Sequence, residues 1–164
     1  MKGDSDSPSF SDVPVKSARY YDRNTQSYSN SNPNPADFID EFLEYLRKGK
    51  GKTVPDLGSG PGINAGYMHS KSFQVIGIDL SEKMVEYARS RYPNIDFRLG
   101  DMTKLPFPAN SFDGILAPYS LIHLTKEAIP PVMAKLYEIL RPGGIMYLSL
   151  FNLVTQHKDS ILIL

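Results

Sequence analysis

One stretch limits what this chain can fold into: Val54-Pro55-Asp56-Leu57-Gly58-Ser59-Gly60-Pro61-Gly62. A short apolar run carries an acid near its end, and three glycines follow at alternate positions. That order predicts a strand, a sharp turn and the start of a helix. The turn aims backbone N–H groups at whatever sits above the strand end. Downstream, apolar runs of strand length alternate with helical patterns, which argues for a parallel sheet covered on both faces. In such sheets ligands lie outside the carboxyl ends of the strands.

The elements follow from periodicity. Residues 1–18 are rich in Ser, Asp and Pro and are expected to form a disordered tail, leaving residues 19–164 as one domain. Tyr20-Tyr21-Asp22 and Tyr28 stand in a polar setting. They read either as a first helix or lid, or, for Tyr28, as a side chain over a ligand. Phe38, Ile39, Phe42, Leu43 and Leu46 recur at helical spacing, predicting a helix over 35–48 that Gly49 ends. Strands are expected at 53–57, 73–78, 95–99, 112–116 and 145–151. Helices are expected at 63–70, from an N-cap at Ser81 to 91, and at 127–140. Arg141-Pro142-Gly143-Gly144 reads as a helix cap and turn. Pro55 is the awkward residue, because a central-strand proline lacks a ladder donor. It requires a bulge or a side of the strand whose N–H is not needed.

Composition removes several function classes. The chain has no cysteine, so disulfides, thiolate metal sites and cysteine nucleophiles are excluded. His69 and His157 lack neighbours of metal-ligand type, and no metal site is expected. Lys plus Arg and Asp plus Glu both number 18, so no basic field points to nucleic acid. No apolar run reaches the roughly 18 residues that span a bilayer, and the polar N-terminus is not a signal peptide. A cytoplasmic protein is expected.

Gly49-Lys50-Gly51-Lys52-Thr53 ends like a phosphate-binding loop. That motif's first glycine falls on Leu46, and the segment follows a helix instead of a strand, so it reads as a connector. Asp56, Asp79 and Asp101 punctuate three successive strand ends. An acid at Asp79, 23 residues beyond Asp56, can accept from both hydroxyls of a ribose. Asp101 can accept from an exocyclic adenine amine. The plain alternative is that each acid caps the helix after it. A dinucleotide fingerprint needs its last glycine at 63, where Ile63 stands, and no Lys or Arg near the loop would neutralise a pyrophosphate. A ligand with a ribose, an adenine and an amino-acid end fits better. S-adenosylmethionine (SAM) is such a ligand.

These motifs together resemble the class I SAM-dependent methyltransferases, of the broad small-molecule type. The glycine loop is similar to the family's first motif. Val75-Ile76-Gly77-Ile78-Asp79-Leu80-Ser81 resembles the ribose segment and Gly100-Asp101-Met102 the adenine segment. Phe112-Asp113-Gly114-Ile115 resembles the fourth-strand motif, and Leu140-Arg141-Pro142-Gly143-Gly144 the turn before the fifth strand. Tyr21-Asp22 and Tyr28 match a tyrosine-aspartate and a later tyrosine found upstream in many members. The resemblance covers about residues 20–151. It implies a Rossmann-like, doubly wound α/β sheet, mainly parallel in order 3-2-1-4-5, with helices on both faces.

The resemblance also implies roles. The loop residues Asp56, Gly58, Ser59, Gly60 and Gly62 would face the methionine part of SAM. Asp79 would hold the ribose with Leu80 beside the adenine, and Asp101 and Met102 would hold the adenine. Tyr28, Ala117 and Tyr119 would line the sulfonium end. Methyl transfer from a sulfonium mainly needs donor and acceptor held in line. His123 is the candidate base for an acceptor that carries a proton, with packing or helix capping as its plain alternative. Tyr119 is the candidate positioning hydroxyl.

The family's sheet is closed by an antiparallel hairpin after the fifth strand. Only 13 residues follow Phe151 here, so the hairpin is expected to be missing or incomplete. The closing Ile-Leu-Ile-Leu leaves room for at most one short extra strand, and the fifth strand is expected to lie at or near an edge open to a second copy or a partner. The function expected is methyl transfer from SAM to a small acceptor. The alternative is an inactive or partner-dependent SAM-binding module, and a nicotinamide oxidoreductase stands third.

Overall fold

The computed structural model describes residues 12–151 and 158–163. Six strands form one sheet: β1 (Thr53–Leu57), β2 (Gln74–Asp79), β3 (Asp96–Leu99), β4 (Phe112–Pro118), β5 (Leu140–Phe151) and β6 (Lys158–Ile163). Their order is β3-β2-β1-β4-β5-β6. The first five strands run parallel, in the 3-2-1-4-5 order expected, and β6 runs antiparallel to β5. Five helices accompany them: α1 (Asp12–Ser31), α2 (Ile39–Lys48), α3 (Ile63–Ser70), α4 (Glu82–Arg91) and α5 (Ile129–Ile139).

Each face of the sheet has its own core. Phe42 and Leu46 of α2, Ala65 and Met68 of α3, and Val85 and Ala88 of α4 pack against Val54, Val75, Leu116 and Tyr147. On the other face Val132, Leu136 and Ile139 of α5 pack against Leu57, Ile78, Ile115 and Met146. Alternation along β4 sends Leu116 to the first core and Ile115 and Ala117 to the second. Ala117 is fully buried there.

Several expectations need correction. Residues 12–18 belong to α1, so only positions before 12 of the expected tail lie outside the described residues. Pro35 does not open α2. That helix starts at Ile39, after Phe38 at φ 60°, and the amide of Ala36 donates to Asn64 Oδ1 (2.8 Å) instead. The 140–144 segment is the start of β5, not a turn, and the β4–β5 register shifts between Phe112 and Gly114. The far edge of β5 is not open, because β6 pairs with it from Met146↔Ile163 to Phe151↔Lys158. Along this length a strand of the same chain takes the place expected for a partner.

Pro55 causes no bulge between β1 and β2, whose register runs unbroken from Thr53↔Gln74 to Leu57↔Ile78. The Thr53 amide points toward β4, where it donates to Asp113 Oδ2 (2.9 Å). Amides two residues apart in a strand point the same way, so the missing donor of Pro55 also faces β4. Ladder pairing with β4 is correspondingly thin, at Asp56↔Leu116. The Asp113 carboxylate supplies acceptors to the Lys52 and Thr53 amides just below this gap.

Candidate functional site

The glycine loop is folded back over the end of β2. The amides of Gly58 and Ser59 both donate to the Ile78 carbonyl (2.8 and 3.0 Å). Gly58 has φ +70°, and a Cβ there would lie 2.5 Å from Ser120 Cβ, so only glycine fits. Gly62 packs just as tightly, its missing Cβ 2.8 Å from Phe97. Gly60 differs. The nearest atom to its missing Cβ is a Tyr28 ring carbon at 3.9 Å, and its amide donates to Asp79 Oδ2 (2.8 Å).

The three acids at the strand ends have diverged. Asp79 is held at both oxygens, by the amides of Gly60 and Ser81 (2.8 Å each). Burial raises its pKa, and those amides oppose the rise. Asp101 uses Oδ1 to cap the 3-10 turn at Met102–Lys104, accepting from Thr103 N and Oγ1 (2.8 Å each). Both acids also line a cavity, and of the two it is Asp101 that caps the following turn, since Ser81 is the N-cap of α4. Asp56 is fully buried, and neither of its oxygens has a hydrogen-bond partner. Burial and the nearby Asp79 push its pKa up to about 7, against the Ala65 amide in the first turn of α3.

Two cavities meet at the loop. The first, about 130 Å³, is walled by Asp79, Leu80, Met84, Asp101, Met102 and His123 and roofed by Ser17, Ala18 and Tyr21 of α1. The second, about 290 Å³ and more polar, lies between Ser59 and Asn64 on one side and the 31–37 linker on the other. Tyr28, Gly58, Gly60, Pro118 and Tyr119 line both. Of the residues expected at the site, Tyr28, Gly58, Ser59, Gly60, Asp79, Leu80, Asp101, Met102, Tyr119 and His123 converge here. Asp56, Gly62 and Ala117 line neither cavity. Asp56 lies beneath the loop, Gly62 against Phe97, and Ala117 in the core under α5.

Tyr119 sits at φ +53°, a strained conformation for a tyrosine that costs roughly 1–3 kcal/mol. Its amide donates to the Ser149 carbonyl (3.1 Å), which holds the turn after β4 to β5. His123 lies in a 3-10 turn at Leu121–His123. Both of its ring nitrogens are engaged by α1: Nε2 with Tyr21 Oη (3.1 Å) and Nδ1 with Ser17 Oγ (3.3 Å). Burial lowers the His123 pKa, keeping the ring neutral at pH 7. Burial, Tyr28 and Asp79 push the Tyr21 hydroxyl up to about 12.

A family model described as a methyltransferase domain matches residues 54–144, more than half of the chain. The chain belongs to this family, the class I SAM-dependent methyltransferases. A protein of Mycolicibacterium smegmatis named as a probable S-adenosylmethionine-dependent methyltransferase is 33% identical over 105 residues, 64% of this chain and 40% of that protein. Phosphoethanolamine N-methyltransferase 1 of Arabidopsis thaliana is 32% identical over 114 residues, 66% of this chain and 23% of that protein. The crystal structure of the PH0226 protein from Pyrococcus horikoshii superposes with a TM-score of 0.63 at 27% identity, covering 83% of this chain and 63% of that one. This methyltransferase domain thus spans less than half the length of those two sequence relatives.

The residues present fit SAM. Two carboxylates, Asp79 and Asp101, face one cavity at the strand ends and offer acceptors of the kind that ribose hydroxyls and an adenine amine use. Ile78, Leu80, Met84 and Met102 give that cavity apolar walls. Among the described residues neither cavity is lined by Lys or Arg, so nothing there neutralises a pyrophosphate. Ser59 Oγ and Ser120 Oγ are buried without partners at the loop, donors that a bound polar group can use.

Sequence reasoning missed Ser17 and Tyr21 as cavity residues of this methyltransferase domain. Tyr21 meets His123 from 102 residues away. The Tyr21-Asp22 pair was visible as a motif, but no local pattern shows which wall a helix will face.

Proposed function

We propose that this chain is the cofactor-binding and catalytic domain of an enzyme that transfers a methyl group from SAM to a small-molecule acceptor. The observation that carries this reading is the convergence of Asp79, Asp101 and the glycine loop on one cavity, with Tyr119 and His123 on its wall. Bound there, SAM supplies an electrophilic methyl group on a positively charged sulfur.

The residue roles follow from position. Asp79, fixed by two amides, accepts from the ribose hydroxyls. Leu80 and Met102 flank the adenine, and Asp101 offers it the oxygen not used in capping. Gly58, Ser59 and Gly60 face the amino-acid end through the second cavity. Tyr28 and Tyr119 line the passage between the cavities, where ring faces and hydroxyl oxygens favour a cation. Asp56, Gly62 and Ala117 support the loop and strand from behind and touch no ligand.

Proton removal falls to His123. Its Nε2 is reached through the Tyr21 hydroxyl, so an acceptor docked on Tyr21 can pass its proton to that oxygen as Tyr21 passes its own to Nε2. A second reading, a domain that binds SAM without turnover, draws on the same geometry, since α1 occupies both nitrogens of the base.

The test is formation of S-adenosylhomocysteine (SAH) from SAM with a panel of amine, hydroxyl and phenol acceptors. Turnover that is abolished in Asp79→Ala and reduced about a hundredfold in His123→Ala supports the first reading. Tight SAH binding without turnover on any acceptor supports the second. A folded protein that binds neither SAM nor SAH contradicts both.

A further inference from the structure

Helix α1 is held differently from the other four. Each of those buries apolar side chains in a core, such as Phe42, Met68, Val85 and Leu136. Among the described side chains of α1, Ser29 is the one that is buried. The attachments of α1 are polar. Ser29 Oγ donates to Tyr87 Oη (3.2 Å), and Ser17 and Tyr21 meet His123. Asp22 Oδ1 accepts from Ser81 Oγ (2.6 Å) and from the Lys83 amide (3.2 Å). The chain after α1 is anchored at Ala36, bonded to Asn64, and at the Asp37 carbonyl, which accepts from the Tyr147 hydroxyl. The helix is thus a cover tied down at one end and clasped along its length.

Tyr21 and Asp22 are adjacent, yet they grip opposite walls of the cavity. Tyr21 reaches the segment after β4, and Asp22 reaches the segment after β2. The second grip bears on Asp79. Ser81 donates its amide to Asp79 Oδ1 (2.8 Å), and its hydroxyl accepts from the Met84 amide (3.1 Å) as the N-cap of α4. A hydroxyl has one proton. Giving that proton to Asp22 turns the Ser81 lone pairs toward Met84 and fixes the peptide that holds Asp79. The Asp22 carboxylate also lies at the positive end of α4. Ser81 thus donates to both carboxylates, its hydroxyl to Asp22 and its amide to Asp79, and ties the two acids together although their charges repel.

We propose that Asp22 is a positioning residue that fixes Ser81, and through it the carboxylate of Asp79, when α1 lies across the cavity. The proposal rests on the reading of Asp79 as the ribose acceptor. Cofactor capture and closure of α1 are then coupled, and the coupling is reciprocal: closed α1 tightens the cofactor, and the cofactor holds α1 closed.

Two measurements test this on the full chain. The first is amide hydrogen exchange without cofactor. Asp22→Ala is expected to speed exchange of α1 and of residues 81–84 by about tenfold, the worth of a charge-assisted hydrogen bond. Asp22→Asn keeps an acceptor and is expected to rescue most of the protection, and Arg23→Ala to change nothing. Unchanged exchange in Asp22→Ala overturns the proposal. The second is calorimetric titration with SAH. Affinity is expected to fall about tenfold in Asp22→Ala and to recover to within about threefold in Asp22→Asn. SAH is also expected to slow α1 exchange in the wild type but not in Asp22→Ala. Equal affinity, or equal slowing, in Asp22→Ala overturns the coupling. A folded wild type that binds no SAH removes the ribose reading, and the exchange measured without cofactor still decides whether Asp22 holds Ser81.

Discussion

At the amino end of the sheet Asp113 is saturated. Its Oδ2 accepts from the Lys52 amide, the Thr53 amide and Thr53 Oγ1 at 2.7–2.9 Å, and its Oδ1 pairs with Arg141 (2.6 Å). Burial works against its charge, but these donors outweigh burial and hold its carboxyl well below the usual carboxylate range. At the carboxyl end Asp56 has no hydrogen-bond partner and its pKa is pushed up to about 7, while burial raises that of Asp79. The same residue type fastens three strands at one end and keeps unspent acceptor capacity at the other. Asp56 lines neither cavity, so its open capacity costs the fold stability from beneath the loop, while Asp79 and Asp101 are the acids that face the cavity.

The largest effect expected is at Asp79. On the proposed reading Asp79→Ala removes the acceptors for two ribose hydroxyls and should weaken SAH binding by more than about a hundredfold. The thermal midpoint should fall less than in Asp113→Ala, because relief of a buried charge offsets the two amides left without their acceptor. Calorimetry and a melting curve on one sample check both halves, and a large loss of stability with binding intact would erase the contrast between the ends.

Asp113→Ala should do the reverse. It leaves two amides and Arg141 without their acceptor and should cost about 2 kcal/mol in urea unfolding, with SAH affinity unchanged. Because the folded pKa is depressed, the contribution of Asp113 is present above about pH 4 and is lost as pH falls below it.

Asp56 should bend the pH dependence the other way. Its folded pKa is raised from 3.8 to about 7, so the folded state keeps a proton that the unfolded chain releases. Stability is therefore lost as pH rises from about 4 to 7. Asp56→Asn should flatten the decline between pH 5 and 8, measured by denaturation at each pH. A slope that survives in Asp56→Asn places the titrating group elsewhere.

The smallest effect expected is the coupling between the ends. Stability changes in Asp79→Ala and Asp113→Ala should add to within about 0.5 kcal/mol in the double variant, since the two carboxylates share no partner. A larger interaction energy means that the ends are not independent.

Most of the sheet was legible in the sequence because buried parallel strands are short apolar runs alternating with helices, while their order was implied by the resemblance to the class I methyltransferases. The glycine loop and the ends marked by Asp79 and Asp101 were legible for the same reason. What was not legible depends on contacts across the chain. The start of α1 at Asp12 is polar and lacks a core stripe, so its helix is fixed by distant clasps at His123 and Ser81. The closing apolar residues could be read as one extra strand, but not its antiparallel pairing along β5. Ala117 could have been placed better from the sequence itself, since it falls in phase with Ile115 on the face toward α5. Pro55 was flagged as a problem, but its partner in the solution, Asp113, lies 58 residues away.

The proposed function places a SAM site at the carboxyl end of this sheet. The direct measurement is calorimetric titration of the folded wild-type chain with SAH and, in parallel, with NADH. Micromolar binding of SAH and no heat from NADH are expected. No binding of SAH, or binding of NADH in its place, contradicts that reading.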